Sequence, residues 1–183
     1  IEPKQKEIED TKDTFLKISK IAASFGTRVV LIVGPNKSSI YPEYLPDAIR
    51  PSSKKYSSFF LDKLTDIPNL TVYDPTNDLL NLKEKEGFLY WTTDTHWNEK
   101  GAYLTYSGFL KLFNLPAPEV KFYQGNAYKG DLAAMSKLKD FPLHTKDNWE
   151  IVWKKKPVYS EKKMSRDLKK NYGYAIGHVV LKD

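Results

Sequence analysis

Residues 28–35 read RVVLIVGP, and inside them Val29 to Val33 form an unbroken run of β-branched and leucine side chains. A strand with one wet face alternates apolar and polar residues, so a continuous run fits a central parallel strand covered on both faces. The residues before it agree. Ile8, Phe15, Ile18, Ala22 and Phe25 recur at a helical period, and Gly26 stands where a helix C-terminal cap belongs. Helix, short turn and buried strand make up the repeating unit of an α/β domain.

The unit recurs along the chain. NKSSIYPEYLPDAIRPSS, residues 36–53, carries three prolines and reads as an irregular loop leaving the C-terminal end of the first strand, a place where function concentrates. Lys54 to Leu64 is expected to be a helix with Tyr56, Phe59, Phe60 and Leu64 inward, followed by a strand in NLTVYDP that ends at Pro75. Asp78 to Lys85 reads as a short helix stopped by Gly87, and FLYW, residues 88–91, as another strand. Asn98 then caps a helix whose apolar positions are Ala102, Tyr103, Tyr106, Phe109, Leu110 and Phe113, closed by Pro116 and Pro118. Further on, GDLAAMSKL is expected to be a short helix and NWEIVW a strand. Residues 144–175 form a polar insertion, and HVVLKD reads as one more buried strand.

A chain of 183 residues with 40% hydrophobic content can bury a core, and the expectation is a single domain over residues 1–183. No run of eighteen apolar residues occurs and the N-terminal stretch is charged, so neither a membrane span nor a signal peptide is read. The missing initiator methionine points to a processed or trimmed chain. The absence of cysteine excludes disulfides, thiolate metal sites and a cysteine nucleophile. The net charge of +6 is spread among acids, with dense clusters only at Lys154–Lys156 and around Lys162, Lys163, Lys169 and Lys170. That pattern reads as a solvated basic surface rather than a nucleic-acid interface, although an anionic polysaccharide would fit it as well.

The chemistry concentrates in TDTHWNEKGA, residues 93–102. In a strand-end loop, side chains two apart can share a side. The Asp94 carboxylate can then hold the His96 ring so that its other nitrogen takes a proton from a hydroxyl. Trp91 and Trp97 can supply a desolvated wall or a sugar-stacking face. The bland alternative makes both tryptophans core residues and bonds His96 to a backbone carbonyl. No metal site is expected, because only His144 and His178 remain beside His96 and no His-x-x-x-His occurs. GPNKSS fails the phosphate-loop pattern, with Leu31 and Asn36 at the glycine positions, and Ser38 and Ser39 lack a nucleophile elbow.

Three blocks carry a family resemblance: VVLIVGPNKSSIYPEYLP, FLYWTTDTHWNEKGAYLTY and GDLAAM. In order and spacing they resemble the SGNH-hydrolase-like domain of the alginate O-acetyltransferase family, the AlgX and AlgJ type, and DHHW-type proteins. The specific block is met by Tyr90, Asp94, His96, Trp97, Asn98, Gly101 and Ala102, and a second by Pro35, Lys37, Tyr41 and Pro42. The resemblance covers residues 13–143 well and the remainder loosely.

It implies an α/β, SGNH-like three-layer sandwich with a mostly parallel central sheet, incomplete at the C-terminus. It also implies that Asp94 and His96 are the acid and base of a Ser-His-Asp triad whose serine lies beyond Asp183. The expected function is an O-acetyltransferase, or an acetyl-esterase, acting on an extracellular or cell-wall polysaccharide, with no cofactor. Its partners would be an anionic or neutral polysaccharide, a protein or small-molecule acetyl donor and a membrane-bound acyltransferase. Its location would be the periplasm or cell surface, with an anchor outside this sequence. Lys37, Tyr41 and Trp97 are the candidate substrate-binding residues; Lys37 would act by meeting an anionic glycan, against the favoured bland reading of a solvated loop lysine. Gly130 and Asp131 fall in a loop that shapes the substrate site, with no role assigned. The competing reading is a non-catalytic glycan-binding or polysaccharide-assembly module that keeps the fold, since no nucleophile is identifiable in these residues.

Overall fold

The computed structural model describes residues 2–49, 52, 54–138 and 146–155, together with the backbone of residues 159–162 and 178–181. The chain divides into two compact units. One comprises residues up to 117 and 122–151, and the other comprises residues 118–121 and those from 152 onward.

In the first unit, α1 (Gln5–Ser24) begins where the Glu7 side chain accepts from the Lys4 backbone N–H at 2.9 Å. It ends at Phe25, after which Gly26 turns the chain with φ +66° and Thr27 N–H donates back to Ala22 O at 2.9 Å. A left-handed residue after the last turn closes a helix in this way, and glycine adopts that conformation without a Cβ penalty. β1 (Val29–Ile32) follows and pairs in parallel with β2 (Leu70–Tyr73), in the register Val29 to Leu70 through Ile32 to Tyr73. The crossover between them contains α2 (Lys37–Ile40), a 3-10 turn at Pro42–Tyr44 and α3 (Ser58–Leu64). The proline-rich loop is thus partly helical, and α3 starts four residues later than the apolar pattern predicts. Leu64 is buried as expected, but Tyr56 is exposed.

Alternation along β2 places helices on both faces of the pair. Leu70 and Val72 point into a cluster with Leu64, Ile67, Phe15, Leu16 and Leu61 from the α1 and α3 side. Tyr73 points the other way. Its hydroxyl donates to Asp78 Oδ2 at 2.7 Å on α4 (Thr76–Glu86) and lies against Gly108 of α5 (Glu99–Lys111), where an added Cβ would sit 1.9 Å from the phenol oxygen. Helix, parallel sheet and helix is the layering expected of the α/β class. One expectation is corrected here: β1 is only half covered, with Ile32 exposed, because among the described residues it pairs with β2 alone.

FLYW is a second correction. Residues 88–91 form no regular strand. A single bridge joins Tyr90 to Trp97, and groups outside a sheet satisfy the neighbouring backbone: Leu89 N–H donates to the Tyr41 hydroxyl at 2.9 Å, Leu89 O accepts from the Asn98 main-chain N–H at 3.0 Å, and Phe88 O accepts from Asn98 Nδ2 at 2.7 Å. Buried backbone groups need partners, and here tertiary contacts supply what a sheet neighbour would otherwise provide. The second core cluster, Ile40, Tyr41, Leu79, Leu89 and Tyr90, packs around this segment. The Asn98 side chain caps α5 as expected, accepting from Lys100 N at 3.1 Å and Gly101 N at 3.0 Å.

β3 (Val120–Gln124) pairs with β4 (Trp149–Trp153), and α6 (Asp131–Met135) lies between them in sequence. In the second unit, Lys154 N donates to Glu119 O at 3.0 Å. There β5 (Tyr159–Lys162) pairs antiparallel with β6 (His178–Leu181). The strand expected in HVVLKD is therefore present, with an antiparallel partner drawn from the stretch assigned to the polar insertion. Within that insertion, which also contains β4, His144 and residues 145, 156–158 and 163–175 lie outside the described residues. No helix among the described residues is long and apolar enough to cross a membrane.

Candidate active site

The loop joining Tyr90 to α5 turns sharply and presents Asp94 and His96 on one side. The Asp94 carboxylate is nearly fully buried, with its side chain 6% exposed, while the His96 ring is 74% exposed. Asp94 Oδ1 accepts from His96 Nδ1 at 2.6 Å and from the His96 backbone N–H at 2.9 Å, and Oδ2 accepts from Asp131 N at 3.0 Å. Burial pushes the Asp94 carboxyl upward, but these hydrogen bonds outweigh it and hold the group below the usual carboxylate range. The hydrogen bond from Asp94 and its charge raise the His96 imidazole above its ordinary value. The ring nitrogen bound to Asp94 is Nδ1, which leaves Nε2 directed outward, with no hydrogen-bond partner among the described residues.

Residues 128–133 are stitched onto this loop. Thr93 Oγ1 donates to Tyr128 O at 2.8 Å and accepts from Gly130 N at 3.1 Å, and Thr93 O accepts from Leu132 N at 3.0 Å. Thr95 returns the contact, donating from its N–H to Asp131 Oδ1 at 2.8 Å and from its hydroxyl to Oδ2 at 2.5 Å. Gly130 is buried against the carboxylate: an added Cβ would lie 2.3 Å from Asp94 Oδ2. Asp131 Oδ2 stands 4.0 Å from His96 Nδ1. Tyr128 stacks on Trp91 with ring centroids 4.4 Å apart, and burial followed by the nearby Asp94 charge raises its phenol.

Asp94, His96 and Asp131 bring three ligand-type atoms within 4.8 Å of one another, a cluster that histidine counting did not anticipate. Each of these atoms is already engaged. Nδ1 is hydrogen-bonded to Asp94, and both Asp131 oxygens accept from Thr95. A cation would have to displace that network, so the donor set fits an oriented imidazole better than a metal centre.

The candidate substrate-binding residues take three different places. Lys37, in the first turn of α2, donates from Nζ to Trp91 O at 2.7 Å, Thr92 O at 2.9 Å and Asp94 O at 3.1 Å. Tyr41 is buried, with its hydroxyl committed to Leu89 N and its ring among those of Tyr44, Phe88 and Tyr90. Trp97 packs against the core cluster, beside Gly34. A cleft of about 520 Å³ opens along this loop, walled by Asn36, Lys37, Tyr44, Thr92, Thr95 and Leu132 among others. Tyr41 contributes to its lining and Trp97 does not. Asp147, fully buried, accepts from Thr92 N of the same loop. Sequence reasoning missed Thr93, Thr95, Tyr128 and Asp147, and it placed Asp131 with Gly130 in a loop shaping the substrate site without giving it a role.

Comparison with known proteins gives a consistent picture. A family described as "SGNH hydrolase-like domain, acetyltransferase AlgX" matches residues 2–168. The chain is similar in structure to PatB1 of Bacillus cereus, with 16% identity over 97% of this chain and 60% of that one and a TM-score of 0.61. A further structure of PatB1 carries a sulfonyl adduct. The chain is likewise similar to a DHHW family protein from Eubacterium siraeum, with 16% identity over 95% of this chain and 57% of that one and a TM-score of 0.60. The O-acetyltransferase domain of Pseudomonas putida AlgJ is similar over 83% of this chain and 58% of its own, at 22% identity and a TM-score of 0.52. At such identities the likeness is one of fold, and the chain spans 57–60% of the length of these structures. No curated protein matches it.

Proposed function

The chain belongs to the SGNH hydrolase-like family of acetyltransferase AlgX, and from that membership we propose that it carries the Asp-His part of a serine acyltransferase that O-acetylates a polysaccharide. The observation that carries the reading is the 2.6 Å contact between Asp94 Oδ1 and His96 Nδ1, with a buried carboxylate behind an exposed ring whose other nitrogen is available.

In the proposed reaction, His96 Nε2 removes the proton from a serine hydroxyl as that oxygen attacks the acetyl carbonyl. Asp94 keeps the proton on Nδ1 and stabilises the imidazolium. The proton on Nε2 then passes to the leaving group as the C–O or C–S bond of the donor breaks, leaving an acetyl-serine. In the second half a sugar hydroxyl gives its proton to Nε2 as its oxygen attacks the acetyl carbonyl, the acetyl–serine C–O bond breaks, and the proton on Nε2 returns to the serine oxygen; water in place of the sugar gives the esterase outcome. The serine comes from outside residues 1–183, in keeping with the fraction of the matched structures that this chain spans. The cleft along Thr92 and Thr95, apolar with a few hydroxyl and amide groups, suits a sugar. The reading places the protein outside the cytoplasm, where a membrane-bound acyltransferase partner would deliver the acetyl group.

The test is hydrolysis of p-nitrophenyl acetate by the full-length protein beside His96→Ala. Turnover is expected in the first and only background in the second, and turnover that survives the substitution removes His96 from the mechanism.

A further inference from the structure

Three backbone carbonyls of the motif loop, those of Trp91, Thr92 and Asp94, converge on one point. Such a convergence is repulsive unless a donor sits at its centre. The Lys37 ammonium occupies that point, 2.7, 2.9 and 3.1 Å from the three oxygens. An ammonium has three N–H donors and no acceptor, so the loop takes its full hydrogen-bonding capacity. The buried Asp147 carboxylate accepts from Thr92 N of the same loop, and Asp147 O accepts from Asn98 Nδ2 at 2.8 Å. The residues that carry Asp94 and His96 are thereby gripped by a cation on their carbonyls and a carboxylate on an amide.

We propose that Lys37 is a positioning residue: its ammonium holds the 91–94 loop so that the Asp94 carboxylate meets His96 Nδ1, and it is not a receptor for an anionic glycan. One consequence concerns substrate class. Lys37 is the only cation lining the cleft among the described residues, and with its donors spent the cleft favours an uncharged hydroxyl-bearing acceptor. Burial lowers the Lys37 ammonium from its usual value, opposed by the charges of Asp147, Asp94 and Asp131. Arginine is a poor replacement, because a planar fork cannot direct three donors to a compact triangle of carbonyls.

The inference rests on the reading of His96 as a base, so its test has one arm that needs no activity. In the full-length protein, Lys37→Met and Lys37→Arg are compared with the native protein by the downfield NMR signal of the His96 Nδ1 proton. Kinetics are then measured on p-nitrophenyl acetate and on acetylsalicylate, an aryl acetate bearing a carboxylate. Expected in both variants are a broadened or lost Nδ1 proton signal and a fall in kcat on the order of 10²-fold, the scale of an ångström-level misplacement. KM should stay within about twofold for both esters. A rise in KM for acetylsalicylate alone, with kcat and the proton signal intact, would show an anion receptor and overturn the proposal. Full recovery with Lys37→Arg would overturn the geometric claim. Should Lys37→Met fail to fold, the ¹⁵N signal of the native Lys37 ammonium decides. Scalar coupling to the carbonyls of residues 91, 92 and 94 supports the clamp, and free rotation with solvent-rate exchange refutes it.

Discussion

Gly130→Ala is the change that bears most directly on the site. The Gly130 backbone, at φ −87° and ψ −164°, is open to alanine, so dihedral strain contributes nothing. At such a position Gly→Ala stabilises by about 0.4–1 kcal/mol through the unfolded chain. Against this, the new Cβ would sit 2.3 Å from Asp94 Oδ2, 2.4 Å from its Cβ and 2.7 Å from its Cγ. Asp94 cannot yield cheaply, because its two oxygens hold the His96 ring, the His96 amide and the Asp131 amide. Overpacking of this kind costs about 1–3 kcal/mol and wins over the entropic gain, for a net loss of roughly 1–2 kcal/mol. In a domain of this size each kcal/mol lowers Tm by about 2–4 °C, so a fall of roughly 2–8 °C is expected. Activity should suffer more, on the order of 10²-fold in kcat, because the carboxylate that aims His96 is displaced by about an ångström. Calorimetry and p-nitrophenyl acetate turnover of the full-length protein measure the two effects. A Gly130→Ala protein with native turnover and an unchanged or raised Tm would refute the packing argument.

The pH dependence follows from the two shifts at the site. Turnover should rise with pH through the His96 pKa at a midpoint above the ordinary histidine value of about 6.5. Asp94→Asn should bring that midpoint down and lower kcat on the order of 10⁴-fold, as read from a pH-rate profile. For stability the signs differ within the pair. The raised His96 contributes fully below its unfolded pKa and loses the contribution as pH rises through its folded value. The lowered Asp94 contributes above its unfolded pKa and loses the contribution as pH falls through its folded value. The excess of native over His96→Ala stability, followed by thermal unfolding, should therefore peak between those limits. Asn98→Ala removes two cap bonds and leaves Asp147 O buried without its donor, so urea unfolding should show a loss of about 2–4 kcal/mol. Gly101→Ala would set a Cβ 2.2 Å from Leu89 O. Because that atom is backbone in a packed segment, thermal unfolding should show a loss of about 3 kcal/mol or more.

Much of this protein was legible in its residues alone where the determinant is local. The period of α1 with Gly26 behind it, the apolar run of β1, the strand in NLTVYDP and the Asn98 cap all express physics that acts within a few residues, and all of them form. The order of blocks around Asp94 and His96 was enough to indicate the family and its SGNH-like fold, both of which the comparisons bear out. The closeness of Asp94 and His96 was also readable, since two residues of loop can bring them together unaided.

Tertiary structure decided what the neighbouring residues do. FLYW has the composition of a strand, yet its hydrogen bonds go to Tyr41 and Asn98, because the groups that satisfy a backbone are chosen by what packs beside it. Lys37 reads in sequence as a solvated loop lysine. Its carbonyl partners lie 54 to 57 residues away, and only folding reveals that they converge. The same holds for Asp131, which reaches Asp94 across 37 residues, and for Asp147, which reaches Thr92 across 55. Periodicity and capping record what a segment prefers by itself. The loop that carries Asp94 and His96 is bonded by Lys37, Asp131 and Asp147, brought from three distant segments, and chain order contains no measure of that distance.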